Sequence, residues 1–216
     1  MIKFDNVTAT YSSSSGIFDL SFEISKGEIV FLMGPTGSGK STVLRTIYKE
    51  INIDKGTIIL DNEDISNIKK RQVPFLRRKI GMIFQDFKLI PDRSVYENIA
   101  LPLRIAGLKS KIIKQEVMQM CENVGLKNKE KVYPLHLSGG EQQRVSIARA
   151  LIKKPSIILA DEPTGNLDPV ISDDILDIME IATNNGAAVL MATHNFPLIR
   201  PRKKRFIELN KGHRVN

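Results

Sequence analysis

The sequence is poor in cysteine and in aromatic residues, and it contains no tryptophan. Only one of the 216 residues is a cysteine, Cys121, so an intrachain disulfide is excluded and a reducing compartment is favoured. A single cysteine is also too few for a cysteine-based zinc site. Because aromatic residues make up only 6% of the chain, the sequence offers no stacking platform for single-stranded nucleic acid.

Long apolar runs are absent as well. The longest lie at 29–33 and 187–192, far below the roughly 20 residues that span a bilayer. The first ten residues lack the apolar stretch of a secretory signal peptide. These features predict a cytosolic protein.

Positive charge is in excess, since Lys and Arg number 32 against 24 Asp and Glu. Basic clusters stand at 69–71, 77–79 and 202–205. Such clusters suit nucleic acid, an anionic membrane surface or simple solvation of the protein surface. The scarcity of aromatic residues favours the membrane surface over nucleic acid.

The hydrophobic pattern predicts an α/β fold. Apolar residues alternate between Phe18 and Ile24, which indicates a half-buried strand. Short continuous apolar runs at 29–33, 156–160 and 187–193 indicate strands that are buried on both faces. Helical patterns separate these runs, as in a parallel sheet covered by helices.

The same pattern predicts one domain over residues 1–216. A helical stretch at about 86–134 is predicted as an insertion between two halves of the α/β core. A helix is expected at 41–50, and the serines at 12–15 predict a loop.

A glycine-rich motif follows the run at 29–33 and precedes the predicted helix. It fits G-x-x-x-x-G-K-[ST], in which backbone N–H groups surround phosphates and the helix N-terminus adds partial positive charge. The lysine of the motif supplies a cation for the β and γ phosphates, and the following serine hydroxyl coordinates Mg²⁺. The candidate nucleotide-binding residues are Gly34, Pro35, Thr36, Gly37, Ser38, Gly39, Lys40, Ser41 and Thr42.

Two adjacent carboxylates end the buried run at 156–160. Asp161 is placed to hold the shell of Mg²⁺, usually through water, and Glu162 to polarise the water that attacks in line. Together with the glycine-rich motif, this pair predicts a nucleotide hydrolase.

The stretch LSGGEQQR at 137–144 has a structural and a functional interpretation. Ser138 and Glu141 fit a capping box, so a helix is expected to start there. Two glycines at its first positions, Gly139 and Gly140, cost helix propensity, but they allow a phosphate to approach exposed N–H groups. Since the glycine-rich motif already surrounds the chain's own phosphates, this second contact is predicted on the ATP of a neighbouring subunit.

In combination, the motifs resemble those of the ABC ATPases. They are GPTGSGKST, Gln85 in MIFQD, LSGGEQQR, LADEP, NLD at 166–168 and His194 in MATHN, and they cover essentially the whole chain. The resemblance implies a RecA-like parallel core, an N-terminal antiparallel β subdomain and a helical insertion subdomain. It also implies ATP and Mg²⁺ as cofactors and a homodimer that forms head to tail on ATP binding.

Further site residues are implied by the resemblance alone. Tyr11 would stack on adenine, and Gln85 would touch Mg²⁺ or water. His194 would hold the γ-phosphate and the attacking water. Asp168 would act across the dimer interface, and Ser138 with its two glycines would contact the partner's γ-phosphate. Asn195 follows the histidine where aspartate is usual in the family.

The segment 71–107 resembles the cell-division branch of the family most closely, through VPFLRR and IGMIFQD. That resemblance implies a peripheral protein on the cytoplasmic face of the cell membrane, with an integral membrane partner resembling FtsX. An ATPase of a lipoprotein-releasing or macrolide transporter is the alternative. A third interpretation is a nucleic-acid-associated ABC ATPase, which by the same resemblance would carry a long coiled coil or a zinc module between the two nucleotide motifs. Only 161 − 40 = 121 residues separate Lys40 from Asp161, and one cysteine cannot build a cysteine-based zinc site, so no nucleic acid is expected.

Five apolar residues within the segment 71–107 leave two alternatives open. They could line the docking site for the membrane partner, or they could pack inside the helical insertion. They are Phe87, Leu89, Ile90, Val95 and Tyr96.

Overall fold

The structure, a computed structural model, describes residues 1–12, 15–165 and 167–215. The strands are β1 (Ile2–Ser12), β2 (Ser15–Ile24), β3 (Ile29–Met33), β4 (Lys55–Leu60), β5 (Glu63–Asp64), β6 (Ile80–Ile83), β7 (Ile157–Asp161), β8 (Ala188–Ala192), β9 (Arg205–Asn210) and β10 (His213–Arg214). The helices are α1 (Lys40–Ile47), α2 (Val73–Lys79), α3 (Val95–Ile105), α4 (Ser110–Asn123), α5 (Gly139–Leu151), α6 (Pro169–Asn184) and α7 (Phe196–Ile199). Short 3-10 helices lie at Lys70–Gln72, Pro134–His136 and Arg200–Arg202.

The central sheet has the strand order β10-β9-β3-β8-β7-β6. Its strands run parallel except for β10, which pairs antiparallel with β9. Strands β3, β6 and β8 are buried along their whole length, which explains their continuous apolar sequences. The predicted α/β architecture with a parallel core is therefore confirmed.

A second, antiparallel sheet has the order β2-β1-β4-β5. Its apolar residues join one face of the central sheet in a shared core, for example Phe4 and Leu20 with Leu32 and Leu190. The other face of the central sheet packs against α5 and α6. The loop prediction for 12–15 is wrong at its ends, because Ser12 pairs with Ser15 as the last rung between β1 and β2; residues 13 and 14 lie outside the described part of the chain.

Helices α3 and α4 pack with α5 around a third apolar cluster. Helix α3 begins with a capping box: the Ser94 hydroxyl accepts a hydrogen bond from the Glu97 amide, and the Glu97 carboxylate accepts one from the Ser94 amide. The boundaries of the insertion, about 86–134, stay a prediction.

The expected bounds of the first helix need correction. Helix α1 ends at Ile47 rather than at 50, because Lys49 adopts a left-handed backbone (φ 55°) that cannot continue a helix. The basic C-terminal segment belongs to the central sheet, since β9 pairs with β3 and buries Ile207 and Leu209. No helix in the described ranges is long and apolar enough to cross a membrane.

Candidate functional site

The glycine-rich loop between β3 and α1 requires glycine for steric reasons. Gly34 has φ 141°, and a Cβ there would lie 2.2 Å from the Leu209 carbonyl oxygen. Gly39 has φ 103°, and its Cβ would lie 2.8 Å from the Ile17 side chain. No side chain caps the N-terminus of α1. Its first N–H groups are therefore free to bind an anion.

Lys40 is held against this loop. Its side chain is only 6% exposed, and Nζ donates to the carbonyl oxygens of Gly34 at 2.8 Å and Pro35 at 3.1 Å. The buried Ser38 hydroxyl has no hydrogen-bond partner among the described residues. A fixed ammonium, free N–H groups and an orphaned hydroxyl in one loop fit a phosphate ligand.

A hydrogen bond links Ser41, in the first turn of α1, to Asp161, at the end of β7. The Ser41 hydroxyl donates to Asp161 Oδ1 at 2.9 Å. Burial raises the pKa of the Asp161 carboxyl, and the hydrogen bond from Ser41 opposes this rise. Hydroxyl and carboxylate oxygens are ligands that Mg²⁺ prefers, and phosphate and water usually complete its shell. This fits the absence, within the described ranges, of any group of three His, Cys, Asp or Glu that could hold a metal alone.

Glu162 lies at the centre of the site and links two basic groups. Its side chain is 12% exposed; Oε2 lies 2.9 Å from Nδ1 of His194, and Oε1 lies 3.7 Å from Nζ of Lys40. The backbone is left-handed (φ 45°), which is uncommon outside glycine, and its amide donates to the Ala192 carbonyl oxygen. A carboxylate held in this way can accept a proton from water.

These groups surround a cavity of about 340 Å³. It is lined by Tyr11, Ser15, Gly16, Thr36, Gly37, Gly39, Lys40, Ser41, Thr42, Gln85, Glu162 and His194. Tyr11 is 56% exposed, so its ring is available for stacking. The sequence did not predict Ser15 and Gly16; they reach the cavity only because β2 pairs back onto β1.

Ser138, Gly139, Gly140 and Asp168 do not line this cavity. The predicted capping box is confirmed, because the Ser138 hydroxyl accepts from the Glu141 amide and Glu141 accepts from the Ser138 amide. Asp168 caps α6 by accepting from the amides of Val170 and Ile171. Asn166 of the NLD motif lies outside the described residues.

The two glycines that follow Ser138 differ in their surroundings. Gly139 is exposed, and a Cβ there would meet only Leu167, at 3.9 Å. Gly140 is buried, and its Cβ would lie 2.7 Å from Cδ1 of Ile171. Packing against Ile171 thus accounts for the absence of a side chain at Gly140, whereas Gly139 has open space around it.

A second cavity, also about 340 Å³, lies beside the edge strand β6. We call it the basic groove; it is lined by Tyr48, Ile80, Gly81, Met82, Phe84, Lys88, Ile90, Leu101, Pro102, Arg149, Ala150 and Lys153. Of the apolar residues with two open alternatives, Ile90 lines this groove, whereas Val95 is fully buried in the insertion.

Two of the three cations in the basic groove, Arg149 and Lys153, lack acidic partners among the described residues, whereas Lys88 pairs with Asp86 at 2.6 Å. Arg149 donates to the carbonyl oxygens of Phe87 and Lys88, and Lys153 donates to that of Arg77. Neither forms an ion pair with a carboxylate in the described part of the chain. Burial lowers the pKa of Arg149 and lowers the pKa of Lys153 to about 8. Lys153 lies just after the end of α5 at Leu151.

We expect Lys153 to make stability depend on pH. Its pKa is lowered from 10.5 to about 8, so the unfolded chain binds more protons in this window and stability rises with pH there. Lys153→Met should flatten this rise, measured by urea denaturation at several pH values. Lys111→Met, at an exposed position, is the control. An unchanged slope in Lys153→Met would contradict the assignment.

Comparison with known proteins gives one consistent result. A family profile described as "ABC transporter" matches residues 17–165. The cell division ATP-binding protein FtsE of Escherichia coli K12 is 47% identical over 99% of this chain and 96% of its own length. FtsE of Bacillus subtilis is 43% identical over 98% and 93%, respectively.

One solved structure has a fold very similar to that of this chain. It is the ATP-binding cassette MJ0796, described as dimeric, in a post-hydrolysis state and bound to ADP and Pi. The TM-score is 0.91 at 34% identity, and the match covers 100% of this chain and 97% of that chain.

Proposed function

The chain belongs to the ABC transporter family of ATP-binding cassettes, and from this premise we propose that it is the ATP-hydrolysing subunit of a membrane complex that acts in cell division. One observation carries the catalytic part of the proposal. Lys40, the Ser41–Asp161 pair and the Glu162–His194 pair come from three separate chain segments and meet at one cavity. The division role rests on the similarity to the FtsE proteins.

The glycine-rich loop and the N-terminus of α1 bind the phosphates of ATP. Lys40 lies at the floor of the loop, where its ammonium balances phosphate charge. Tyr11, an exposed residue of the cavity wall, stacks on the adenine ring. Ser41, Asp161 and Gln85 would hold Mg²⁺, which supplies charge neutralisation on the phosphate oxygens when bound.

Glu162 accepts the proton of the attacking water, because its carboxylate lies at the cavity wall with one oxygen near Lys40. His194 orients this carboxylate through Nδ1, which leaves its other ring nitrogen for the γ-phosphate or the water.

Hydrolysis requires two subunits in this proposal. Ser138, Gly139 and Gly140 lie outside the chain's own cavity, and Ser138 and Gly139 are exposed, so this segment is available to complete the cavity of a second copy. Asp168, at the exposed start of α6, acts at the same interface. The dimeric state of the related cassette MJ0796 supports this arrangement.

An integral membrane protein resembling FtsX is the proposed partner, and the chain is peripheral on the cytoplasmic face of the membrane. The basic groove offers its docking site, because it combines apolar walls with two cations that lack carboxylate partners in the described structure. A docking segment that presents a carboxylate among apolar side chains would fit this groove. The similarity to FtsE proteins favours this role over lipoprotein release or macrolide export.

Capture from membranes tests the proposal. Tagged Glu162→Gln chain, incubated with ATP and gently solubilised native membranes, should retain an FtsX-like membrane protein with cell-wall factors, identified by mass spectrometry. The matched control adds Lys153→Glu in the basic groove, which should abolish capture while ATP binding is kept. Recovery of a lipoprotein or macrolide permease instead would overturn the division role.

A further inference from the structure

Two of the three basic sequence clusters, at 69–71 and 77–79, lie in one short segment of the chain. Residues 69–79, which we call the basic ridge, comprise the 3-10 helix Lys70–Gln72 and helix α2. The ridge contains six cationic residues and no acidic one. Because the two short helices are consecutive, these charges are concentrated on one small part of the surface.

Most of this charge is not neutralised. Lys69, Lys70, Arg71 and Arg78 are exposed, and none has an acidic partner among the described residues. Only Lys79 forms an ion pair, with Glu63 at 2.7 Å. An unpaired group of exposed cations attracts an anionic surface.

The third cluster, at 202–205, is different. Arg202 contacts the carboxylates of Asp173 and Asp177 and, at 3.5 Å, that of Glu180. Arg205 pairs with Glu28 at 2.8 Å. Two of its four cations thus pair with carboxylates within the fold. The other two, Lys203 and Lys204, are exposed and lie outside the basic ridge.

An exposed aromatic ring stands within the basic ridge. The Phe75 side chain is 61% exposed, and the guanidinium carbon of Arg78 lies 5.2 Å from the ring centroid. Neighbouring Leu76 is buried and anchors α2 to the core. An apolar ring flanked by cations is the composition that binds at the headgroup level of a bilayer.

The basic ridge is continuous with the basic groove. Lys153, in the groove, donates to the Arg77 carbonyl oxygen at 2.8 Å, and the Arg77 guanidinium lies 4.6 Å above the Tyr48 ring. If a membrane protein occupies the groove, the ridge lies next to that protein and therefore next to the bilayer. This orientation rests on the proposed function; the charge and exposure of the ridge do not.

From this juxtaposition, we propose that the basic ridge binds the anionic headgroups of the membrane, with Phe75 inserted between them. The chain then has a lipid contact of its own beside the contact with its partner. Each cation near an anionic surface strengthens binding about fivefold, so four unpaired cations suffice for weak, salt-sensitive attachment.

Sedimentation with vesicles tests this without the partner. The pure full-length chain should bind vesicles that contain phosphatidylglycerol, lose binding as salt is raised, and bind phosphatidylcholine vesicles poorly. Lys70→Gln with Arg71→Gln should weaken binding by about 10- to 30-fold, and Phe75→Ala by several fold. Basal ATPase activity should not change, because none of these residues lines the nucleotide cavity.

The control variant removes two cations elsewhere, Lys203→Gln with Lys204→Gln, and should bind vesicles nearly as well as the parent chain. Equal losses in both double variants, or equal binding to neutral vesicles, would overturn the proposal. The proposal would also be overturned if the parent chain did not bind vesicles and the Lys70→Gln, Arg71→Gln variant lost capture of the membrane partner. The basic ridge would then bind an acidic protein surface instead of lipid. Because ATPase activity is measured in parallel, failure of this proposal is distinguishable from failure of the proposed function.

Discussion

Glu162→Gln is expected to lower kcat by about 10²- to 10⁴-fold while ATP still binds. The variant keeps the size of the side chain, and an amide can still approach Lys40 through its oxygen and His194 through either atom. It cannot accept a proton from water at neutral pH. Because the ATP-bound state would no longer be consumed, dimers should accumulate with ATP and disperse when nucleotide is removed.

Steady-state ATPase assays and size-exclusion chromatography with and without ATP would measure both effects. Glu116→Gln is a suitable control, since it removes a partly exposed carboxylate in α4 that does not line the cavity. Normal turnover by Glu162→Gln would contradict the role of Glu162 as general base, and the left-handed backbone at that residue would then need another explanation.

His194 and Glu162 also illustrate which part of the site the sequence could predict. The glycine-rich loop could be predicted because its requirements are local: left-handed backbone at Gly34 and Gly39, and a lysine at fixed spacing. The contact between Glu162 and His194 could not be derived from pattern, because β7 and β8 must first pair side by side. Only the resemblance to a family identified His194 beforehand.

The features that the sequence did not predict depend on contacts between distant segments. Strand β9 is a short amphipathic stretch among charges, and its place beside β3 is set by pairing rather than by periodicity. Gly140 carries no local sign that Ile171 lies against it. In the sequence, Lys153 is indistinguishable from an ordinary lysine at a helix end. Its ammonium is partly buried only because the end of α5 packs beside α2 and β6 in the fold.

If the active site is shared, two inactive variants should restore each other's activity. Ser138→Arg places a bulky cation at the exposed N-cap, where the proposed partner phosphate binds, and should remove ATPase activity while each chain still binds ATP. Lys40→Ala removes the ammonium at the floor of the loop and should abolish ATP binding. A mixed dimer contains one intact site, formed by the Lys40 loop of the first variant and Ser138 of the second.

Random pairing makes half of the dimers mixed, so the mixture should recover about one quarter of the parent rate if sites act independently. Ser138→Asn keeps a favourable N-cap without the bulk and separates loss of the helix cap, worth about 1 kcal/mol, from block of the interface. Full activity of Ser138→Arg alone would contradict a composite site. Recovery in the mixture would mean that Ser138 and Lys40 act in one site from two chains, which no site enclosed within a single chain can produce.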